Sequence, residues 1–197
     1  MSKKPLMQRL KKSEHPIELS DSFFHKPSGV FLVCLLFFGL TVWTFAPAIR
    51  ADFQYFDDSA LLLTNTHVNT GVGWQNLSWA LFSLEYANWC PLSWISHMLD
   101  FTVFGKAPWG HHLTNVLLHA VNGVLLFLVL KRMTGALWRS LVVAALFALH
   151  PLRVESVAWI SERKDVLSAF FGLLALWTYA RFAEETKTQG GKSKVFY

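Results

Sequence analysis

Asp57 and Asp58 stand side by side a few residues after an uncharged stretch, with Phe53, Tyr55 and Phe56 just before them. Adjacent acids at an apolar boundary suit general-base work, because desolvation and a neighbouring like charge both favour proton uptake by a carboxylate. Two other readings stand beside it. One is a solvated turn in which Asp58 caps a helix beginning at Ser59. The other is a metal site, which lacks a defined set of further ligands. A second cluster runs from Trp89 to Asp100 and contains Pro91, Trp94 and His97. His97 and Asp100, three apart, share a helix face. The cluster reads either as an aromatic belt with a His–Asp surface pair or as an aromatic platform, with Trp94 and His97, beside an acceptor site. A third group comprises His111, His112, Asn115, His119 and Asn122. Asn115, His119 and Asn122 fall at i, i+4 and i+7, one helical stripe. Such a stripe is either hydrogen-bond glue between helices or the lining of a wet cavity. His112 and His119, seven apart, chelate poorly from one helix. The fourth group is the most informative. His150-Pro151 is followed by Arg153, Glu155, Glu162, Arg163, Lys164 and Asp165, with Val154, Val157, Ala158, Trp159 and Ile160 among them. Charges at membrane depth point to function. Pro151 breaks or kinks a helix, and broken helices are tolerated in a membrane where they line a cavity. The alternatives are a self-neutralising surface loop, or a site in which Arg163 and Lys164 bind an anionic headgroup, phosphate being the obvious one.

These residues need apolar elements to hold them. The 197-residue chain is 53% hydrophobic and only 16% charged. That balance excludes a disordered chain, a coiled coil and a disulfide-stapled mini-protein, and argues against an ordinary soluble globule. Four membrane spans are predicted, at about 29–49, 111–130, 140–160 and 166–182. They follow a basic leader, 1–28, and enclose a long loop, 50–110. A stretch at 183–197 ends in the beginning of a possible further span at Val195–Tyr197. Trp74–Ser83 and Pro91–Phe101, within the loop, each suit a short interfacial helix. The leader, the 131–139 connection, and the end of the fourth span with the tail after it (from Arg181) hold 13 of the 18 Lys and Arg. The long loop holds only Arg50 and Lys106 among five acids. The positive-inside rule then places the N-terminus in the cytoplasm and the loop outside. Topology therefore accounts for the net charge of +5, and a nucleic-acid partner loses its support. Cys34 and Cys90 do not suggest a disulfide, and the Gly-Gly-Lys-Ser-Lys stretch has no upstream glycine at phosphate-loop spacing.

The motifs, taken together and in order, resemble a family. Phe56-Asp57-Asp58, Trp89-x-Pro91-Leu92-Ser93-Trp94, His111-His112-Leu113-x-Asn115, His119-x-x-Asn122, His150-Pro151-x-x-Val154-Glu155-Ser156-Val157-Ala158-Trp159 and Glu162-Arg163-Lys164-Asp165 resemble the N-terminal membrane region of bacterial tetratricopeptide-repeat membrane proteins. Those proteins are similar to the animal transmembrane-and-tetratricopeptide-repeat O-mannosyltransferases. The resemblance covers roughly residues 30–197. It implies an all-α membrane protein, the N-terminal part of a C-type glycosyltransferase fold, in a bacterial inner membrane. It further implies sugar transfer from a polyprenyl-phosphate donor to an acceptor hydroxyl, on protein or glycan, at the outer face. Asp57 and Asp58 become the catalytic acids, one serving as base or orienting the hydroxyl. Arg163 and Lys164 meet the carrier phosphate, and Trp94, His97, His150, Glu155, Glu162 and Asp165 line the substrate site. The donor is a lipid-phosphate-linked sugar; the resemblance assigns no metal ligand and leaves a divalent-ion requirement open. Family members have more spans and a helical-repeat array. The 197 residues therefore read as an N-terminal fragment, expected to be inactive without the remainder.

Two other classes compete. A non-catalytic membrane scaffold requires the polar groups to be paired off or solvated with no shared cavity. A transporter or lipid-binding subunit favours an inverted internal repeat, which the sequence does not contain. The transferase reading places Asp57, Asp58, Arg163 and Lys164 on one outer cavity.

Overall fold

The computed structural model describes residue 24 and residues 26–55, 57–85 and 89–193, with side chains up to 186. Phe56, the leader up to Phe23 and the Val195–Tyr197 segment lie outside the described residues. The chain divides into two compact units, residues 1–36 and 37–197. Among the described residues the protein is all-helical.

Helix α1, Pro27–Phe45, carries no charged side chain. It begins on a proline, whose missing N–H has no intrahelical partner at that position in any case. A 3-10 turn, Ala46–Arg50, extends it to a 24-residue apolar stretch, enough to cross a bilayer. The segment after it is not a plain loop. It forms a π-helical turn, Ser59–Leu63, and then three helices: α2 (Thr66–Asn69), α3 (Trp74–Phe82) and α4 (Pro91–Phe104). Leu62, Val68, Ala80, Trp94, Met98 and Phe101 from these elements close on Ile160 as one core. Helix α3 keeps Trp74 and Phe82 exposed, as an interfacial helix would. Helix α4 departs from expectation. Its His97 and Asp100 are not a surface pair; both are buried, together with Trp94 and Met98.

Helix α5, Pro108–Thr134, is the hub of the second unit. It ends on Gly135, which adopts φ 71° and so takes the left-handed cap that glycine accepts most readily. Helix α6, Leu137–Leu149, is only 13 residues long, about 20 Å at 1.5 Å per residue, short of a roughly 30 Å hydrocarbon core. The span expected at 140–160 is therefore not one continuous helix. Pro151 holds His150 in extended backbone, and the chain restarts as α7, Arg153–Ala158, then a 3-10 turn, Ile160–Glu162. Helix α8, Arg163–Ser193, completes the fold. Three stretches are long and apolar enough to cross a membrane, Pro27–Arg50, Pro108–Thr134 and Ile160–Thr186, with α6 a shorter apolar helix.

The polar stripe on α5 is what makes this interruption tolerable. Asn115 Nδ2 donates to the carbonyl of Trp159 at 3.1 Å. His119 Nε2 lies 2.9 Å from the carbonyl of Ala148, near the end of α6. Asn122 Nδ2 donates to the carbonyl of Val166 at 2.8 Å. Carbonyls at a helix end have no intrahelical partner, and lipid offers none. The stripe is interhelical glue: Asn115 and His119 reach the ends of the broken segment, and Asn122 reaches the first turn of α8.

Close packing of α4 on α5 turns on Gly110. A Cβ at that position would sit 2.2 Å from Phe104 Cγ. Gly110→Ala is expected to lower stability by about 1–3 kcal/mol through overpacking, despite alanine's higher helix propensity. A thermal melt in detergent that matched wild type would show that Phe104 can move aside.

Candidate functional site

The site is organised by a buried ion pair, Arg163–Asp100, and one further buried carboxylate, Asp58. Arg163, the first residue of α8, is fully buried. Its Nε donates to Asn115 Oδ1 at 2.7 Å, and its Nη2 to the carbonyl of His111 at 2.7 Å. Its Nη1 donates to Asp100 and to Ser96 Oγ, the latter at 3.2 Å. The guanidinium thus ties α4 and α5 to the start of α8. Asp100 is held in turn by Thr114 Oγ1, which donates to Oδ1 at 2.8 Å. The pair is charge-neutral and well hydrogen-bonded, which is the condition for burying it.

Asp58 is the further buried carboxylate. Its Oδ2 accepts from the Gln54 N–H at 2.9 Å and its Oδ1 from the Ser161 N–H at 3.0 Å. The latter bond spans 103 residues of sequence and fastens the segment after α1 to the turn before α8. Asp57 is exposed, and no hydrogen bond among the described residues engages its carboxylate. The adjacent acids therefore have different roles: Asp58 is a strut and Asp57 a free carboxylate.

Beside this strut lies a cavity of about 40 Å³, lined by Leu62, Ser93, Trp94, His97, Ser161 and Lys164 among others. Cys90, Ser93 and Lys164 also line an adjoining open groove of about 510 Å³, whose walls include Trp89, Leu92, Leu167 and Phe171. The Lys164 ammonium is half-exposed at the boundary of the two and pairs with Glu162 Oε1 at 3.0 Å. Burial pushes the His97 imidazole well below its ordinary 6.5, and the nearby Arg163 and His111 push it the same way. His97 is therefore neutral. Burial also pushes the Cys90 thiol up, against the opposing pull of Lys164, so Cys90 is a poor thiolate.

The expected site residues fall into separate places. Trp94, His97 and Lys164 share the small cavity. Glu155 lies elsewhere, with Gln54 and Trp159 on a cleft of about 310 Å³. His150 lies on a third surface beside Leu146 and Pro151, where its Nδ1 accepts from the Leu152 N–H at 3.2 Å. Asp165 accepts from Ser156 Oγ at 3.1 Å. Asp57, Asp58, Arg163 and Lys164 do not converge on one cavity: Lys164 lines it, Asp58 and Arg163 are consumed by the protein, and Asp57 is at the surface. A phosphate has no access to Arg163, because its donors already face protein acceptors. Ser96, Thr114 and Ser161 were not legible as site residues, since a serine or threonine in an apolar helix carries no signal of its partner.

His97, Asp100 and His111 each place a ligand atom within 4.8 Å of the others, a donor set that suits a transition metal. The Asp100 carboxylate, however, is taken by Arg163 and Thr114. The guanidinium already supplies the positive charge that a metal would bring.

Over 165 aligned residues the chain is 34% identical to protein O-mannosyl-transferase Tmtc2 of Drosophila melanogaster, a stretch covering 80% of this chain and 17% of that protein. This chain is a homologue of the protein O-mannosyl-transferases. It is also 33% identical over 140 residues to the O-mannosyl-transferase TMTC2 of Homo sapiens, covering 68% of this chain and 17% of the relative. With the O-mannosyl-transferase TMTC4 of Homo sapiens the identity is 29% over 195 residues, covering 87% and 26%. The chain thus spans about a sixth to a quarter of the O-mannosyl-transferases it matches. No protein-family model and no solved structure matches it.

Proposed function

We propose that this chain forms part of a membrane glycosyltransferase of the C-type fold that transfers a mannosyl group from a polyprenyl phosphate to an acceptor hydroxyl. The observation that carries the site is the Asp58–Ser161 bond. It fastens the segment bearing Asp57 to the turn that leads into Lys164. In the reaction the bond between the sugar's anomeric carbon and the phosphate oxygen breaks, and the electron pair leaves with the polyprenyl phosphate. A bond from the acceptor oxygen to that carbon forms, and Asp57 takes the hydroxyl proton. Lys164 offsets the charge growing on the leaving phosphate. The groove beside Lys164, walled by Trp89, Leu92, Leu167 and Phe171, suits an isoprenoid chain. The resemblance implies a bacterial inner membrane, and the distribution of Lys and Arg favours a cytoplasmic N-terminus, with Asp57 and Lys164 at the outer face. Glu155 and Trp159 give the neighbouring cleft the aromatic and carboxylate groups that suit a sugar or acceptor.

The scaffold reading retains the residues that are paired off, namely Arg163, Asp58 and the α5 stripe. It also accommodates Asp57, which is exposed, and Lys164, which pairs with Glu162; what it leaves without a task is the groove beside Lys164.

The test uses membranes from cells expressing the whole gene product and a radiolabelled mannosyl-phosphopolyprenol. Label is expected in a protein fraction. Lys164→Gln is expected to slow transfer by about tenfold or more while leaving the melting temperature near wild type, because the side chain is half-exposed. Transfer that is absent in wild type, while the donor stays intact and the protein folded, would favour the scaffold.

A further inference from the structure

The turn between α5 and α6 encloses a pocket at the opposite end of α5 from the Asp100–Arg163 pair. Gly135, in its left-handed conformation, folds the end of α5 back onto the start of α6. The space there is about 210 Å³, lined by Leu130 and Thr134 from α5 and by Arg139, Ser140 and Val143 from α6. It is many times the roughly 10–15 Å³ that one water needs, so it suits a chemical group rather than a solvent molecule. The hydroxyls are already used. Ser140 Oγ donates to the Ala136 carbonyl at 2.7 Å, and Thr134 Oγ1 donates to the Leu130 carbonyl at 2.7 Å. Arg139 is not used. It is exposed, and among the described residues it makes no ion pair or hydrogen bond. Its neighbours differ. Arg132 pairs with Glu184 and lies over the Trp177 ring. Lys131 and Arg132 also stand in the last turn of α5, where the helix dipole favours a cation. Arg139 stands in the first turn of α6, where the dipole opposes one. The sequence from Lys131 to Pro151 contains no acid, so the charge on this pocket is uncompensated from within the turn.

We propose that this pocket holds the phosphodiester headgroup of an anionic phospholipid, with Arg139 as the cation that recognises it. The walls suit the rest of the lipid. Arg139, Val143 and Leu146 fall at i, i+4 and i+7, one stripe along α6. Val143 is 50% exposed and Leu146 63%. The stripe leads from the pocket into an apolar groove that Leu146 shares with Ala145 and Leu149, where an acyl chain can lie. Trp138, beside Arg139, is also half-exposed, and an indole is at home at headgroup level. Basic pockets between membrane helices on the Lys- and Arg-rich side suit anionic headgroups. A soluble phosphate is the poorer occupant, because it would engage Arg139 and leave the apolar stripe without a partner.

The test uses the whole gene product, purified and delipidated in a neutral detergent, with bound lipid counted by native mass spectrometry. The probes are dioleoyl phosphatidylglycerol, dioleoyl phosphatidylcholine and inorganic phosphate. Phosphatidylglycerol is expected to bind more tightly than phosphatidylcholine, whose headgroup carries no net charge. Arg139→Gln is expected to weaken phosphatidylglycerol binding about fivefold, the worth of one cation near a membrane surface. Its melting temperature in lipid-free detergent is expected to match wild type, because the side chain has no partner to lose. Val143→Trp, which fills the pocket and leaves the charge unaltered, is expected to weaken binding as well. Lys106→Gln removes the same charge from the long loop and is expected to leave binding unchanged. Wild-type binding by Arg139→Gln, or a loss no greater than that of Lys106→Gln, would reduce the effect to diffuse attraction and overturn the site. Equal binding of the two phospholipids would overturn it too, and would leave the α6 stripe to a further protein segment. Displacement of the lipid by inorganic phosphate at an equal concentration would assign the pocket to a soluble anion and overturn the lipid. No arm measures sugar transfer, so the transferase reading stands or falls separately.

Discussion

Arg163→Ala is expected to yield a chain that does not reach a folded, monodisperse state in detergent. The guanidinium is fully buried and serves acceptors on α4 and α5. Removing it leaves the Asp100 carboxylate inside the protein with Thr114 as its remaining hydrogen-bond donor. Breaking a buried pair from one side costs about 3–5 kcal/mol, a large part of the roughly 5–15 kcal/mol that holds a domain together. Asn115 Oδ1 and the His111 carbonyl lose their donor in the same substitution. The measurement is size-exclusion elution together with protease resistance at equal expression. Removing both charges, as Asp100→Leu with Arg163→Met, is expected to recover part of the loss, because no uncompensated charge then remains. An Arg163→Ala chain as monodisperse and protease-resistant as wild type would remove Arg163 from the centre of the fold and reopen its expected role at the phosphate.

The adjacent acids are expected to separate in a paired experiment. Asp57→Asn leaves the fold intact, because the carboxylate is exposed and bonded to nothing among the described residues. It is expected to cut mannosyl transfer by about 10²–10⁴-fold, the usual contribution of a positioned general base. Asp58→Asn acts differently. An amide in place of the carboxylate points an NH₂ at one of two N–H donors, those of Gln54 and Ser161. Loss of a hydrogen bond to a charged group costs about 1.5–3 kcal/mol, so the melting temperature and the transfer rate are expected to fall together. Transfer by Asp57→Asn at the wild-type rate would exclude it as the base. A melting temperature for Asp58→Asn equal to wild type would show that the strut does not hold the turn.

The apolar elements were legible in the sequence because lipid imposes length and composition directly. Uncharged runs near 29–49 and 111–130 became helices of spanning length, and the spacing of Asn115, His119 and Asn122 put them on one side of α5. Pro151 announced the interruption, since it removes a donor wherever it stands. The length of α6 was less clear, because a hydrophobic run does not say where the chain stops being helical. The partners of the charges were beyond the sequence altogether. Glu162, Arg163, Lys164 and Asp165 are consecutive, yet Arg163 is in the core and Lys164 is at a groove. Helical geometry turns successive side chains about 100° apart, and only the packing of α8 against α4 and α5 decides which one faces inward. Asp57 and Asp58 differ for the same reason. Residue types and order alone determined that this is a helical membrane protein with acids and bases placed at the ends of its apolar segments. Tertiary structure alone decided which of those charges hold the fold and which are left free, because burial and hydrogen-bond partners come from residues as far apart as 58 and 161.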